Sequence, residues 1–190
     1  FGSYLVSGDW NTDGKTDLAV GAYGYSSNRG RVYMYTFNDG VITGETTSNY
    51  FGEALSSGDF NADGKTDLVV GSRGYSSSTG RVYLFYNDGS IPTTAATADV
   101  IITGETTNNY FGTSLASGDF NADGRTDLVV GAYGYSTSTG RAYIFYNDGS
   151  IPTTAATADV IITGETTNNY FGASLASGDF NADGKTDLVV

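Results

Sequence analysis

A nine-residue pattern returns four times with almost no change: DWNTDGKTD at 9–17, DFNADGKTD at 59–67, DFNADGRTD at 119–127 and DFNADGKTD at 179–187. Each copy puts a side-chain oxygen at positions one, three, five and nine and a glycine at position six. A short loop wraps a hard cation in this way, because Ca²⁺ takes roughly six to eight oxygens at about 2.3–2.6 Å and glycine permits the sharp turn that gathers them. The pattern predicts a chain of calcium-loop repeats, with up to four bound ions.

The charge has the same origin. Twelve of the 21 acidic residues are loop aspartates, and the remaining nine match in number the nine Lys and Arg. Carboxylates crowded in this way repel one another, and four divalent ions would bring the formal charge from −12 to about −4. Metal is therefore expected to stabilise the fold. Nine scattered basic residues form no cluster, which argues against nucleic-acid binding.

Cysteine and histidine are both absent. Disulfides, thiolate sites, histidine-ligated zinc and every Ser-His or Cys-His arrangement are excluded. The loop carboxylates are poor acid–base candidates, because metal-bound carboxylates are committed to charge neutralisation. The chain is expected not to be an enzyme. No apolar run approaches the ~20 residues of a membrane helix, so no membrane insertion is expected. Free calcium at millimolar level points to an extracellular, secreted or surface-displayed location. The chain begins at Phe1 without Met, signal peptide or tag, which implies processing, a fragment or an incomplete sequence.

Alignment on the Phe-Gly pair before each loop gives units 1–50, 51–110 and 111–170 and a half unit 171–190. Segments 71–130 and 131–190 differ at only seven positions, which implies recent duplication or deliberate consensus building. The first unit reads NDGVITGE (38–45) where later ones read NDGSIPTTAATADVIITGE. The additional Ser/Thr/Ala-rich segment, SIPTTAATA at 90–98 and 150–158, reads as a solvated surface-loop insertion, with O-glycosylation or a spacer role as alternatives. No Asn-X-Ser/Thr sequon is present.

Within a unit the apolar runs are short, rich in Val, Ile, Tyr and Phe, and interrupted by Gly, Asn-Asp-Gly or Ser/Thr clusters. This predicts an all-β chain with no helix and four strands per unit: 110–120, 126–132, 140–146 and 158–165 in the third. The metal loop joins the first two. Four-stranded sheets recurring every 50–60 residues predict a β-propeller of antiparallel blades, about three and a half of them here. A ring of about four to eight blades would then need another chain or further repeats.

Phe-Gly, then GDFNADGKTDL, then VVGA, in order, resemble the FG-GAP repeats of integrin α-subunit β-propellers and their bacterial and fungal relatives. GAYG and GSRG lack the proline of the family's Gly-Ala-Pro. The resemblance implies metal ligands at Asp9, Asn11, Asp13, the Lys15 carbonyl and Asp17. It implies likewise Asp59, Asn61, Asp63, the Lys65 carbonyl and Asp67, and then Asp119, Asn121, Asp123, the Arg125 carbonyl and Asp127. The last set is Asp179, Asn181, Asp183, the Lys185 carbonyl and Asp187. An EF-hand would need Glu at position twelve, where Val20, Val70, Val130 and Val190 stand. Dockerin-type loops share the aspartates but adjoin helices, unlike TDLVV.

In a four-stranded meander the metal loops leave one face, and the loop between strands two and three and the link to the next blade leave the other. A ligand site is expected on that second face, at Tyr25, Tyr75, Tyr135, Arg73, Asn109 and Asn169, against the alternative of polar turns. Three functions stay open: a calcium-binding adhesion or recognition module for a protein or glycan, as the resemblance to integrins implies; a carbohydrate-binding lectin; and a structural subunit of an extracellular assembly or a designed scaffold.

Overall fold

The computed structural model describes residues 1–35, 39–90 and 92–190. Asn38 of the short first hairpin and Ile91 of the first insertion lie outside the described residues. The described chain is all-β apart from short turns, with three antiparallel four-stranded meanders and a two-stranded remnant. The first sheet holds β1 (Tyr4–Gly8), β2 (Asp17–Ala22), β3 (Arg31–Tyr35) and β4 (Gly40–Thr43). The second holds β5 (Ala54–Gly58), β6 (Asp67–Ser72), β7 (Arg81–Phe85) and β8 (Val100–Thr103). The third holds β9 (Ser114–Gly118), β10 (Asp127–Ala132), β11 (Arg141–Phe145) and β12 (Val160–Thr163), and β13 (Ala176–Gly178) pairs with β14 (Asp187–Val189). This is a partial β-propeller.

The period of two along each strand explains how the sheets stack. In β6 and β7, Leu68, Val70, Tyr83 and Phe85 pack towards the first sheet, with Trp10, Val32, Met34 and Ile42. The alternate residues Val69, Val82 and Leu84 pack towards the third sheet, against Phe111, Leu128, Val130, Tyr143 and Phe145. Both faces of a blade are apolar because both are covered. The first strands of successive blades are neighbours, and a serine ladder ties them. Ser57 Oγ donates to the Ser7 carbonyl (3.0 Å), Ser117 Oγ to that of Ser57 (2.7 Å) and Ser177 Oγ to that of Ser117 (2.8 Å).

Three local expectations change. The first strand of the third unit starts at Ser114 rather than 110. Tyr110 and Gly112 take positive φ (56° and 86°), so this stretch turns, and Phe111 forms a parallel bridge to Gly80 of the preceding blade. That crossing requires glycine, since a Cβ at Gly80 (φ +86°) would lie 2.0 Å from the Phe111 carbonyl oxygen.

The expectation of no helix also changes. Tyr25–Asn28, Tyr75–Ser78 and Tyr135–Ser138 each form a single helical turn, with left-handed φ/ψ at its second and third residues, such as Ser76 (47°, 68°) and Ser77 (56°, 42°). Non-glycine residues pay a steric penalty in that region. The turn is held by the next link, whose Asn108 and Tyr110 amides donate to the carbonyls of Ser77 (3.1 Å) and Ser78 (2.8 Å). Four residues are too few for any helical period to show in the sequence.

The Ser/Thr/Ala segment, finally, is only in part a solvated insertion: Ser90, Thr93, Ala96 and Thr97 are exposed, but the segment is anchored. Thr94 pairs in parallel with Thr43 on β4 of the preceding blade, and Thr154 with Thr103 on β8. Ala95 and Ala155, each at the start of a 3₁₀ turn, are fully buried. The segment covers the exposed edge of the preceding sheet, an edge that is otherwise open to strand addition.

Candidate functional site

Each Asp-rich loop is a closed turn built from its own amides. In the first, Asp9 Oδ1 and Asn11 Oδ1 both accept from the Asp13 amide (3.1 and 2.9 Å). Asp9 Oδ2 accepts from Gly14 (2.9 Å) and Asp13 Oδ1 from Lys15 (2.9 Å). The same four bonds recur around Asp59, Asn61 and Asp63, around Asp119, Asn121 and Asp123, and around Asp179, Asn181 and Asp183. Gly14, with φ +79° and nothing near its missing Cβ, is needed for conformation alone.

The ninth position plays a different part. Asp67 is fully buried; its Oδ2 accepts from the Phe60 amide and its Oδ1 from the Asn87 amide, both at 2.8 Å. Asp127 does the same with Phe120 and Asn147. Asp17 Oδ2 accepts from Trp10 (2.9 Å), and Asp187 Oδ2 from Phe180 (3.0 Å). One carboxylate thus ties the loop to the hairpin between the third and fourth strands. Burial raises the Asp67 and Asp127 carboxyls above the ordinary aspartate range, against the lowering effect of those amide bonds, and neighbouring loop aspartates add to the rise.

Among the described residues no three acidic side chains are gathered into one metal-holding cluster. The donor set still suits a hard divalent cation: three carboxylates, an amide oxygen and main-chain carbonyls in a tight turn, with neither nitrogen nor sulfur ligands. Lys15 and Lys65 place Nζ 3.8 Å from Asp13 and Asp63. Lys65 Nζ also donates to the Asn87 carbonyl (3.2 Å), and an Arg125 terminal nitrogen to that of Asn147 (3.3 Å).

On the opposite face the six residues singled out by sequence fall into separate groups. Tyr25, Tyr75 and Tyr135 each lie under an arginine of their own blade, Arg31, Arg81 and Arg141, at 3.7, 3.6 and 3.5 Å from ring centroid to guanidinium carbon. Two of these arginines are clasped by the link of the preceding blade, Arg81 by Glu45 and Arg141 by Glu105, both at 3.1 Å. Tyr83 donates its hydroxyl to the same Glu45 (2.9 Å). Asn109 is buried, its carbonyl accepting from Gly134 (3.1 Å), whereas Asn169 is exposed.

Arg73 belongs to another group. Its Nε pairs with Glu53, a terminal nitrogen donates to the Tyr133 hydroxyl (2.8 Å), and its guanidinium lies 4.9 Å from Tyr50 and 5.7 Å from Tyr110. Tyr110 stacks on Tyr133 (4.9 Å), and Tyr133 reaches Tyr170 (6.0 Å). An aromatic strip centred on one arginine thus crosses the blades. Sequence reasoning missed Glu53 and the strip's tyrosines. The available signal was the repeat period itself, which returns Tyr at 50, 110 and 170 just before Phe-Gly.

Comparison with known proteins agrees with this architecture. The FG-GAP repeat profile matches residues 1–35, 51–85, 111–145 and 171–190. Similar proteins include human phosphatidylinositol-glycan-specific phospholipase D, 42% identical over 88 residues, which are 42% of this chain and 10% of that protein. Drosophila melanogaster integrin alpha-PS5 is 40% identical over 83 residues, 43% of this chain and 8% of the integrin. Human integrin alpha-7 is 37% identical over 97 residues, 48% and 8% respectively. The matches thus span a tenth or less of these relatives. With its four Phe-Gly starts, closed Asp-rich loops and four-stranded sheets, the chain belongs to the FG-GAP repeat family.

Proposed function

We propose that this chain is part of an extracellular, calcium-stabilised propeller that presents the face opposite its Asp-rich loops to a protein or glycan ligand and performs no catalysis. The observation that carries the reading is the tie made by Asp67 and Asp127 between a carboxylate-rich loop and the neighbouring hairpin. A cation on such a loop would offset its repulsion and rigidify the blade through that tie. The residues that would hold it are the aspartates and asparagine at positions one, three, five and nine, with the carbonyl at position seven. The Tyr and Arg strip at Arg73 supplies a flat, partly apolar surface with one cation, suited to recognition.

Relatedness to a phospholipase D does not extend catalysis to this chain. The aligned part is about a tenth of that enzyme, and this chain offers neither histidine nor cysteine. Further repeats or another chain would complete the ring. The outward residues Phe1, Leu18 and Tyr35 of the first sheet are exposed, while their equivalents Phe51, Leu68 and Phe85 are buried.

The test is light-scattering mass and thermal melting of the same sample in calcium and in excess chelator. A melting temperature well above the chelated value, with a defined oligomer in calcium, is the expected result. A monomer whose melting ignores chelator overturns both the structural-ion and the ring-completion readings.

A further inference from the structure

Fifteen tyrosines stand in a chain without cysteine, so any covalent tie between its blades must come from side chains other than thiols. On the face opposite the Asp-rich loops, three tyrosine pairs are in ring contact among the described residues: Tyr23 with Tyr50, Tyr110 with Tyr133, and Tyr133 with Tyr170. The first and last pairs are 6.0 Å apart and tilted by 43° and 49°. Tyr110 and Tyr133 differ from both, with centroids 4.9 Å apart and planes only 9° from parallel. Overlap of this kind brings the ring atoms of the two side chains into contact. The second unit cannot repeat it, because Arg73 stands where the third unit carries Tyr133, and the equivalent contact there is Tyr50 with a guanidinium at 4.9 Å.

The two rings are held from different blades. Tyr110 lies in the link, where its amide donates to the Ser78 carbonyl of the second blade (2.8 Å) and its φ is +56°. Tyr133 follows β10 in the third blade, and its hydroxyl accepts from Arg73 of the second (2.8 Å). Both rings are half-buried and open to a small oxidant, whereas Tyr83 and Tyr143 are closed off.

We propose that Tyr110 and Tyr133 form an oxidative cross-linking site, in which a carbon–carbon bond between the rings makes a dityrosine that staples the second blade to the third. Each phenol loses one electron and its hydroxyl proton to a haem peroxidase turning over hydrogen peroxide. The two neutral phenoxyl radicals pair through ring carbons ortho to oxygen. As the rings regain aromaticity, each ortho carbon gives up its proton and each oxygen takes one back. Two hydrogens leave in total, and one peroxide is reduced to two waters. Radicals formed on rings already in contact couple without a diffusional search. The bond closes the chain between residues 110 and 133 and restricts the unfolded state as a disulfide does. It does not depend on what the Arg73 strip binds.

The experiment treats the dilute 190-residue chain with a haem peroxidase and limiting hydrogen peroxide, and follows dityrosine fluorescence in the monomer fraction. Trypsin cuts after Arg125 and so puts Tyr110 and Tyr133 in separate peptides. The expected product is that peptide pair, joined, lighter by two hydrogens than the sum, with fragmentation placing the bond at residues 110 and 133. Tyr110→Phe and Tyr133→Phe each keep the ring and remove the oxygen that a phenoxyl requires, so each should lose most of the fluorescence. Unfolding the chain in urea before oxidation should abolish the preference for this pair. The proposal is overturned if no dityrosine forms within a chain, if the bond joins Tyr23 to Tyr50 or Tyr133 to Tyr170 instead, if either Phe variant keeps the parent yield, or if the unfolded chain gives the same product as readily. Should a variant fail to fold, the peptide map of the parent decides.

Discussion

The aspartates of one loop divide into two kinds, and substitution should separate them. Asp63 accepts from the Lys65 amide within its own turn, while buried Asp67 accepts from Phe60 and Asn87 with different oxygens. Asp67→Asn turns one acceptor into a donor facing an N–H group, at a cost of roughly 2–4 kcal/mol already in chelator and a larger one in calcium, where the same carboxylate would also face the ion. The double variant Asp63→Ala with Asp123→Ala should lower the melting temperature in calcium and leave it nearly unchanged in chelator. Equal losses in both buffers for the double variant would remove the ion from the account. The loop was legible in sequence because all its residues lie within nine positions. The ninth aspartate's second partner was not, since Asn87 lies 20 residues away and is reached only through the fold.

Tyrosines at the blade interfaces carry a pH dependence of definite sign. Burial pushes the Tyr143 hydroxyl up to about 12, and burial together with the Glu45 bond raises Tyr83 as well. A tyrosine pKa raised on folding contributes stability that is fully present below its unfolded value of about 10 and is lost as pH rises through the folded value. Melting temperature should therefore be flat with respect to these groups below that point and fall between about pH 10 and 12. In an absorbance titration near 295 nm, both phenols should ionise after the exposed tyrosines. Early, reversible ionisation of all fifteen tyrosines would contradict their burial.

Among the elements, the Ser/Thr/Ala segment departs furthest from what its composition suggests. Small polar residues without period read as solvent-exposed loop, yet Thr94 bridges β4 and Ala95 has no exposed surface. Nothing local announces this, because Ala95 acquires its partners from the preceding blade. Ala95→Asp should cost roughly 3 kcal/mol or more by burying an unpaired charge. The same change at exposed Ala96 should be near neutral, and equal stability of the two variants would restore the loop reading. The strands themselves were legible because Val, Ile, Tyr and Phe alternate into two covered faces. Their limits were less so: the Tyr110–Gly112 turn is set by the crossing with Gly80, a contact between residues 31 apart in sequence.

At the scale of the whole molecule, cover varies along the stack, and stability should follow it. The second sheet packs on the first through Leu68, Val70, Tyr83 and Phe85 and on the third through Val69, Val82 and Leu84. The third sheet is covered by the second on one face and by the β13–β14 pair on the other. The first sheet has one covered face, and Val189, which ends β14, and Val190 after it are exposed. Amide exchange by local opening reports how much buried apolar contact each element must give up. Protection should therefore be greatest in β6, β7 and β10, lower in β2 and β3, and least in β13 and β14. Calcium should raise it most beside the loops, at Phe60 and Asn87, whose amides are held by Asp67. Hydrogen exchange read by mass spectrometry on the isolated chain would test this gradient. If a second chain or further repeats cover the first sheet, protection of β2 and β3 should rise to that of β6 and β7 as protein concentration increases or as the array lengthens. A gradient running the other way, with β13 and β14 the most protected, would mean that blade stacking does not set the order of stability.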